Sequence, residues 1–369
     1  MITTPLHRLG DAARWLTTPL LPEDYLALVN PLWSTAELRG RIETIRHEAP
    51  GAATIVIRPG RDWPGHRPGQ WLKIGIDIDG VRHWRTFSLS SPPREDGLLT
   101  ITVKATPDGT VSRHLVHHIR PRTIVRLAAA EGDFALPGQL PERMLFITAG
   151  SGITPVMAML RALAKDLPSN APPAISSGAG RVNSVDVVVV HSARTAGDVI
   201  FGGELRALAR RIPWLRLYER HTAEDGRFKP AELADICPDW AERDTWACGP
   251  GDLLDELDEH WRAAGVDGRL RMERFQPVLA VTDGEGGRVT FSKSGVEVDA
   301  DGATPLLEAG EGAGALLPSG CRMGICYSCV GRLCSGKVRD LRTGEVHGEE
   351  GHLIQTCVSA AAGPVDIEL

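Results

Sequence analysis

The apolar positions of this chain change rhythm twice, and each change marks a boundary. From about 39 to 135 the runs are short and alternating, at Leu38–Ile45, Thr54–Ile57, Trp71–Ile78, Trp84–Leu89 and Leu99–Val103. Pro59-Gly60, Pro64-Gly65 and Pro68-Gly69 separate several of them. Short strands at this spacing predict a small antiparallel barrel. One helix interrupts it, starting near Thr110 and carrying Val111, Leu115, His118 and Ile119 at helical spacing.

From about 141 to 275 apolar strands alternate with amphipathic helices. The strands are Met144–Thr148, Val185–Val190, Leu215–Tyr218 and Thr245–Cys248, and the helices Val156–Lys165, Glu204–Arg211 and Asp252–Ala263. That alternation predicts a parallel sheet covered by helices on both faces. Ser169–Ser184, rich in Ser, Gly, Ala and Pro, reads as a surface insertion. Asp283-Gly284-Glu285-Gly286-Gly287 reads as a tether to a third unit. Residues 1–38 are broken by Pro5, Pro19, Pro22 and Pro31 yet rich in Trp and Leu, which fits either a cap on the body or a docking element.

Composition narrows the class. The chain has 369 residues, 42% of them hydrophobic and 24% charged, which predicts two or three ordinary globular domains. No apolar run approaches the ~18 residues of a membrane span, and Met1–Gly10 resembles no signal peptide. A cytoplasmic location is therefore expected, as are no nucleic-acid partners, because the net charge is only −6. From Arg288 onward there are 7 basic and 11 acidic residues, so most of the acidic excess lies in the third unit.

Five of the seven cysteines lie in that unit. Cys321, Cys326, Cys329 and Cys357 are spaced C-x4-C-x2-C-x27-C, the plant-type [2Fe–2S] ligand pattern. Zinc and disulfides are the alternatives. Zinc usually takes two paired C-x2-C knuckles, and only one is present here; disulfides would need an oxidising compartment. Cys334 lies outside the pattern and is expected to be a small core residue.

Three further stretches carry candidate chemistry. Thr148-Ala149-Gly150-Ser151-Gly152-Ile153-Thr154-Pro155 follows a strand and opens a helix, the setting of a phosphate-cradling turn. A purely structural tight turn is the alternative. Arg85-Thr86-Phe87-Ser88 ends a barrel strand, and Gly109-Thr110-Val111-Ser112 opens the barrel helix; together they offer a cation, an aromatic face, hydroxyls and a second helix N-terminus. Cys248-Gly249-Pro250 ends the last clear parallel strand, where ligands of such sheets bind. His114, His117 and His118 are expected to be solvated or to flank a ligand.

Taken together these motifs resemble the ferredoxin–NADP reductase superfamily over about 39–275, with a plant-type ferredoxin over about 288–369. The domain order resembles phthalate dioxygenase reductase-like proteins. Ser319-Gly320-Cys321-Arg322-Met323-Gly324-Ile325-Cys326 and the Trp-containing N-terminus most resemble actinobacterial reductases serving membrane stearoyl-CoA desaturases.

The resemblance implies an N-terminal extension at 1–38, a flavin-binding antiparallel β-barrel at 39–138 and a parallel α/β nicotinamide-nucleotide domain at 139–276. A linker at 277–287 and an α+β β-grasp ferredoxin at 288–369 would follow. It implies that Arg85, Thr86, Phe87 and Ser88 hold the flavin, with Phe87 stacked and Ser88 near N5. Gly109, Thr110, Val111 and Ser112 would meet the pyrophosphate of FAD, with FMN the less favoured alternative. Thr148, Gly150, Gly152, Thr154, Arg194, Cys248, Gly249 and Pro250 would hold the dinucleotide. Ser88, Cys248 and Glu273 would be catalytic, and Phe275 would lie near the flavin.

Arg194, with no acid beside it in His191-Ser192-Ala193-Arg194, favours NADPH over NADH. The implied activity is electron transfer from NADPH through FAD and the cluster to a membrane fatty acyl desaturase, which would give membrane association through that partner. The alternative acceptors are a Rieske ring-hydroxylating oxygenase or a cytochrome P450 system, using NADH. The tether at 283–287 is expected to let the ferredoxin approach the flavin edge and then turn its cluster outward.

Overall fold

In a computed structural model the described residues are 25, 28–34, 36–107, 109–167, 185–275, 284–320, 322–324 and 327–369. Three sheets follow one another along the chain. The first is antiparallel and six-stranded, built from β1 (Arg39–Ala49), β2 (Ala52–Pro59), β3 (Trp71–Ile78), β4 (Val81–Ser88), β5 (Leu99–Lys104) and β6 (Ile124–Leu127). Their order is β4-β3-β6-β1-β2-β5, and helix α1 (Thr110–His117) lies between β5 and β6 in the chain. Ile42, Ile55, Ile57, Leu72, Ile74 and Ile101 form its core with Val111 and Leu115 of α1. The alternation that predicts these strands is the alternation of core and surface faces.

The second sheet is parallel. It holds β7 (Arg143–Ala149), β8 (Asp186–Ala193), β9 (Leu215–His221), β10 (Asp244–Cys248) and β11 (Leu270–Glu273), in the order β11-β10-β7-β8-β9. Helices α2 (Ile153–Asp166), α3 (Gly202–Arg211) and α4 (Gly251–Ala263) connect them. Two apolar clusters flank the sheet, one containing Met144, Phe146, Val187 and Val189, the other Leu145, Ile147, Val188 and Val190. Burial on both faces is why these strands read as continuous apolar runs rather than alternating ones.

The third sheet contains β12 (Gly287–Phe291), β13 (Val296–Ala300), β14 (Val330–Asp340), β15 (Val346–His347), β16 (Leu353–Gln355) and β17 (Ser359–Glu368). The order is β13-β12-β17-β14-β15, with β16 also paired to β14, and helix α5 (Leu306–Gly312) packs against it. Mixed pairing around the central β17, parallel to β12 and antiparallel to β14, gives the α+β ferredoxin-like unit that the sequence predicts.

The structure differs from the sequence reading in two places. The expected tether is shorter, because Gly287 already pairs in β12. Gly286 and Gly287 also lie hard against the third sheet: a Cβ on Gly286 would sit 1.9 Å from the Ala300 carbonyl oxygen, and one on Gly287 2.2 Å from Gly363. These two glycines serve close packing, not reach. Cys334 is half-exposed rather than a core residue. The insertion at Ser169–Ser184 lies outside the described residues, as do Asp283 and most of residues 1–38.

Candidate functional site

Strand β4 is the junction of the molecule. At its end Ser88 is buried, and its hydroxyl donates to Glu273 Oε2 at 3.2 Å, joining the barrel to the last strand of the parallel sheet. Burial pushes the Glu273 carboxyl up to about 8, and the Ser88 bond offsets only part of that rise. A mostly neutral carboxyl at pH 7, beside a hydroxyl, can hold or hand on a proton.

Three residues earlier, Arg85 donates to the Trp84 carbonyl at 2.7 Å and reaches Ser319 of the cysteine unit at 3.5 Å. Burial, reinforced by Arg322, lowers the Arg85 guanidinium to about 10, leaving it a cation at neutral pH. Arg322 in turn forms a two-oxygen pair with Glu311 at 2.6 and 2.7 Å. Between Arg85 and Ser88, Thr86 holds a buried hydroxyl that has no partner, and Phe87 packs on the barrel core. A cation, an orphaned hydroxyl and an aromatic ring on one strand fit a flavin's phosphate, polar ring edge and plane.

Gly109 caps α1 without a side-chain bond, and Ser112 donates to the Gly109 carbonyl at 3.2 Å. Thr106 and Ser112 share a hydroxyl contact at 3.1 Å, so a Cβ on Gly109 would strike both. The turn is therefore tight, and Thr110 and Val111 follow it into the helix, where Val111 is buried. The first backbone N–H groups of a helix are open donors for an anion.

On the parallel sheet, Thr148 near the end of β7 leads into Gly150-Ser151-Gly152, a single 3-10 turn before α2. Gly150 has φ +55, and a Cβ on Gly152 would sit 2.0 Å from the Cys248 carbonyl oxygen. The turn and the end of β10 thus touch backbone to backbone, which only glycine permits. Thr154 is buried, with its hydroxyl donating to the Ser151 carbonyl at 2.9 Å.

Cys248 is fully buried, and burial, helped by Glu273, raises its thiol well above the ordinary value. Gly249 and Pro250 carry the chain to α4, with Pro250 as its N-cap. Arg194 follows β8 on the surface, and no ion pair engages it among the described residues. Phe275 is partly exposed just beyond Glu273.

Of the four pattern cysteines, Cys329 and Cys357 are described and buried, form no disulfide, and meet in the third core. Cys321 and Cys326 lie outside the described residues. A hydrogen bond with Cys357, followed by smaller contributions that include Thr356, holds the Cys329 thiol down to about 6 despite burial. Two adjacent sulfurs, one readily ionised, fit thiolate ligation of iron. Sequence reading missed the contacts that join the units, Ser88 with Glu273 and Arg85 with Ser319. Pairs 185 and 234 residues apart leave no local signal.

Family models match as an oxidoreductase FAD-binding domain over 62–136, an oxidoreductase NAD-binding domain over 146–257 and a 2Fe-2S iron-sulfur cluster binding domain over 289–362. A Mycobacterium tuberculosis protein named NADPH oxidoreductase is 50% identical, covering 98% of this chain and 92% of its own length. The reductase subunit of stachydrine N-demethylase from Rhizobium meliloti is 28% identical over 88% of this chain and 94% of its own. The solved structure of phthalate dioxygenase reductase superposes with a TM-score of 0.63 at 20% identity, covering 90% of this chain and 97% of that one, and so shares the fold.

Proposed function

The chain belongs to the ferredoxin–NADP reductase superfamily, in the branch with a fused plant-type [2Fe–2S] ferredoxin, and on that premise we propose that it carries electrons from NADPH to a membrane di-iron fatty acyl desaturase. It is an electron-transfer oxidoreductase with FAD-, NAD(P)- and 2Fe-2S-binding domains. Arg85 and Thr86 would hold a flavin, which would supply hydride acceptance and one-electron release, and the four pattern cysteines would hold a cluster able to pass single electrons. The observation that carries the route is β4, which touches the nucleotide sheet through Ser88 and the cysteine unit through Arg85.

The chain's own residues then have these tasks. Arg85 and Thr86 bind the flavin, Phe87 covers its ring, and Gly109 to Ser112 receive its pyrophosphate. Ser88 and Glu273 hold a proton at the reacting edge, and Cys248 walls the nicotinamide pocket with Phe275 near its mouth. Gly150, Gly152 and Thr154 shape the dinucleotide turn. Cys321, Cys326, Cys329 and Cys357 ligate iron. Arg194, an exposed cation directly after β8, supports a 2′-phosphate and hence NADPH, as does the name of the half-identical relative.

For the acceptor, Leu28 and Val29 are each 77% exposed and offer apolar surface near the N-terminus. No helix among the described residues is long and apolar enough to cross a membrane, so the partner would supply the membrane. The second reading is a soluble oxygenase acceptor, favoured by the relative named for a demethylase system.

Reconstitution decides between them. The protein is mixed with NADPH and either desaturase-bearing membranes or a Rieske oxygenase, and product is quantified. Turnover with the oxygenase alone would overturn the desaturase assignment.

A further inference from the structure

At the carboxyl ends of the five parallel strands, one residue from each strand lies in register with the next. Glu273 is beside Cys248, Cys248 beside Thr148, Thr148 beside His191, and His191 beside Glu219. Registered neighbours in a parallel sheet share a face, and Cys248 packs in the cluster that includes α2 and α3. The strands below this level are apolar, so the polar row needs its own partners.

Most of the row is served. Glu273 accepts from Ser88, Thr148 meets His191, and Glu219 accepts from Arg206 Nε and Nη2 at 2.7 to 3.1 Å. His191 is served at one end only. Its Nδ1 lies 2.8 Å from Thr148 Oγ1, whereas its Nε2 is buried with no partner, on a side chain with no exposed surface. Burial holds the ring down to about 4, with Glu219 and His221 as the nearby ionisable groups, so it is neutral at working pH. A neutral imidazole that accepts at Nδ1 must carry its proton on Nε2.

We infer that Thr148 donates to His191 Nδ1, and that His191 Nε2–H is a donor for a ribose or phosphate oxygen in the adenosine half of the pyridine nucleotide. The place supports that half. Strand order reverses between β7 and β10, so Cys248 and Glu273 lie on one side of the Gly150 turn. His191 lies on the other, on β8, three residues before Arg194. Nucleotides span such a reversal at the strand carboxyl ends. The inference rests on the proposed dinucleotide site and adds a specificity contact that the Gly-rich turn does not supply.

Two variants separate the ring's two nitrogens. His191→Asn keeps a polar atom near Nδ1 and deletes Nε2; His191→Gln reaches the Nε2 position and gives up the Thr148 bond. Each is titrated calorimetrically, in the FAD- and cluster-loaded protein, with NADP+ and with 2′,5′-ADP, and its melting temperature is recorded. A lost hydrogen bond to ligand predicts roughly 5- to 30-fold weaker binding of both ligands by His191→Asn, with His191→Gln within about threefold of wild type.

Undiminished binding by His191→Asn would overturn the inference. So would equal weakening in both variants that follows a drop in melting temperature, since that describes a purely structural histidine. Weakening toward NADP+ but not 2′,5′-ADP would move the contact to the nicotinamide half and overturn the assignment. Wild-type protein that binds neither ligand would instead remove the dinucleotide reading beneath it.

Discussion

Ser88 and Glu273 lie 185 residues apart in the chain, yet they share a 3.2 Å hydrogen bond that closes the barrel against the nucleotide sheet. The bond joins a buried hydroxyl to a carboxyl that burial has pushed up to about 8. Glu273 should therefore gain its negative charge only as pH rises toward 8 in the folded protein, against its ordinary 4.5 in the unfolded chain.

Between about 4.5 and 8 the folded state holds a proton that the unfolded state has lost, so Glu273 costs stability as pH increases through this window. Glu273→Gln should flatten the decline in melting temperature between pH 5 and 8. It should also remove the limb near pH 8 from the rate profile of NADPH-dependent ferricyanide reduction. A limb that survives in the variant belongs to another group.

The 2′-phosphate assignment is tested at Arg194. Replacing it by Ala removes a charge-assisted bond worth about 1.5–3 kcal/mol, so KM for NADPH should rise roughly 10- to 100-fold while KM for NADH stays put. Parallel losses toward both nucleotides would place Arg194 elsewhere in the site.

Gly152→Ala tests the contact between the glycine turn and β10. The added Cβ would meet the Cys248 carbonyl oxygen at 2.0 Å, with backbone on both sides and little room to yield. Overpacking of this kind costs about 1–3 kcal/mol and should displace the turn, so both melting temperature and NADPH affinity should fall. Normal affinity in a destabilised variant would show that the turn does not bind the nucleotide.

Arg243 supports the opposite end of the same sheet. Its guanidinium is almost wholly buried, bonded to Asp239 by Nε and Nη2 at 2.9 Å and to the Asp186 and Met144 carbonyls at 3.1 and 3.3 Å. Arg243→Ala would remove its pairs with the Asp186 and Asp239 carboxylates, which keep Arg216 and Arg143 as partners, and would leave the buried Asp186 and Met144 carbonyls without this donor, a loss of about 1–3 kcal/mol. Chemical denaturation should show the loss, with the visible spectrum of any folded protein unchanged.

Much of this architecture is legible in the sequence because burial writes it locally. Trp71–Ile78 alternates and forms β3 over the same residues, and Met144–Thr148 is continuously apolar because β7 is covered on both faces. The four pattern cysteines are legible through spacing alone. Ile124–Leu127 and Leu270–Glu273 are not, since four-residue strands carry too few positions to show a period and depend on partners far away in the chain. Asp283–Gly287 misleads for a related reason. Its composition is that of a tether, but Gly286 and Gly287 are small because backbone from Ala300 and Gly363 lies against them. The partners of Ser88, Arg85 and His191 emerge only when the sheets come together.

In the proposed route, the cysteine unit is the outlet for electrons that enter at the nucleotide sheet. Cys357→Ala, purified with FAD, tests it most directly when NADPH oxidation is followed with two acceptors beside the visible spectrum. Loss of the [2Fe–2S] bands and of cytochrome c reduction is expected, with ferricyanide reduction through the flavin retained. Cytochrome c reduction at the wild-type rate, or persistence of the cluster bands, would contradict it.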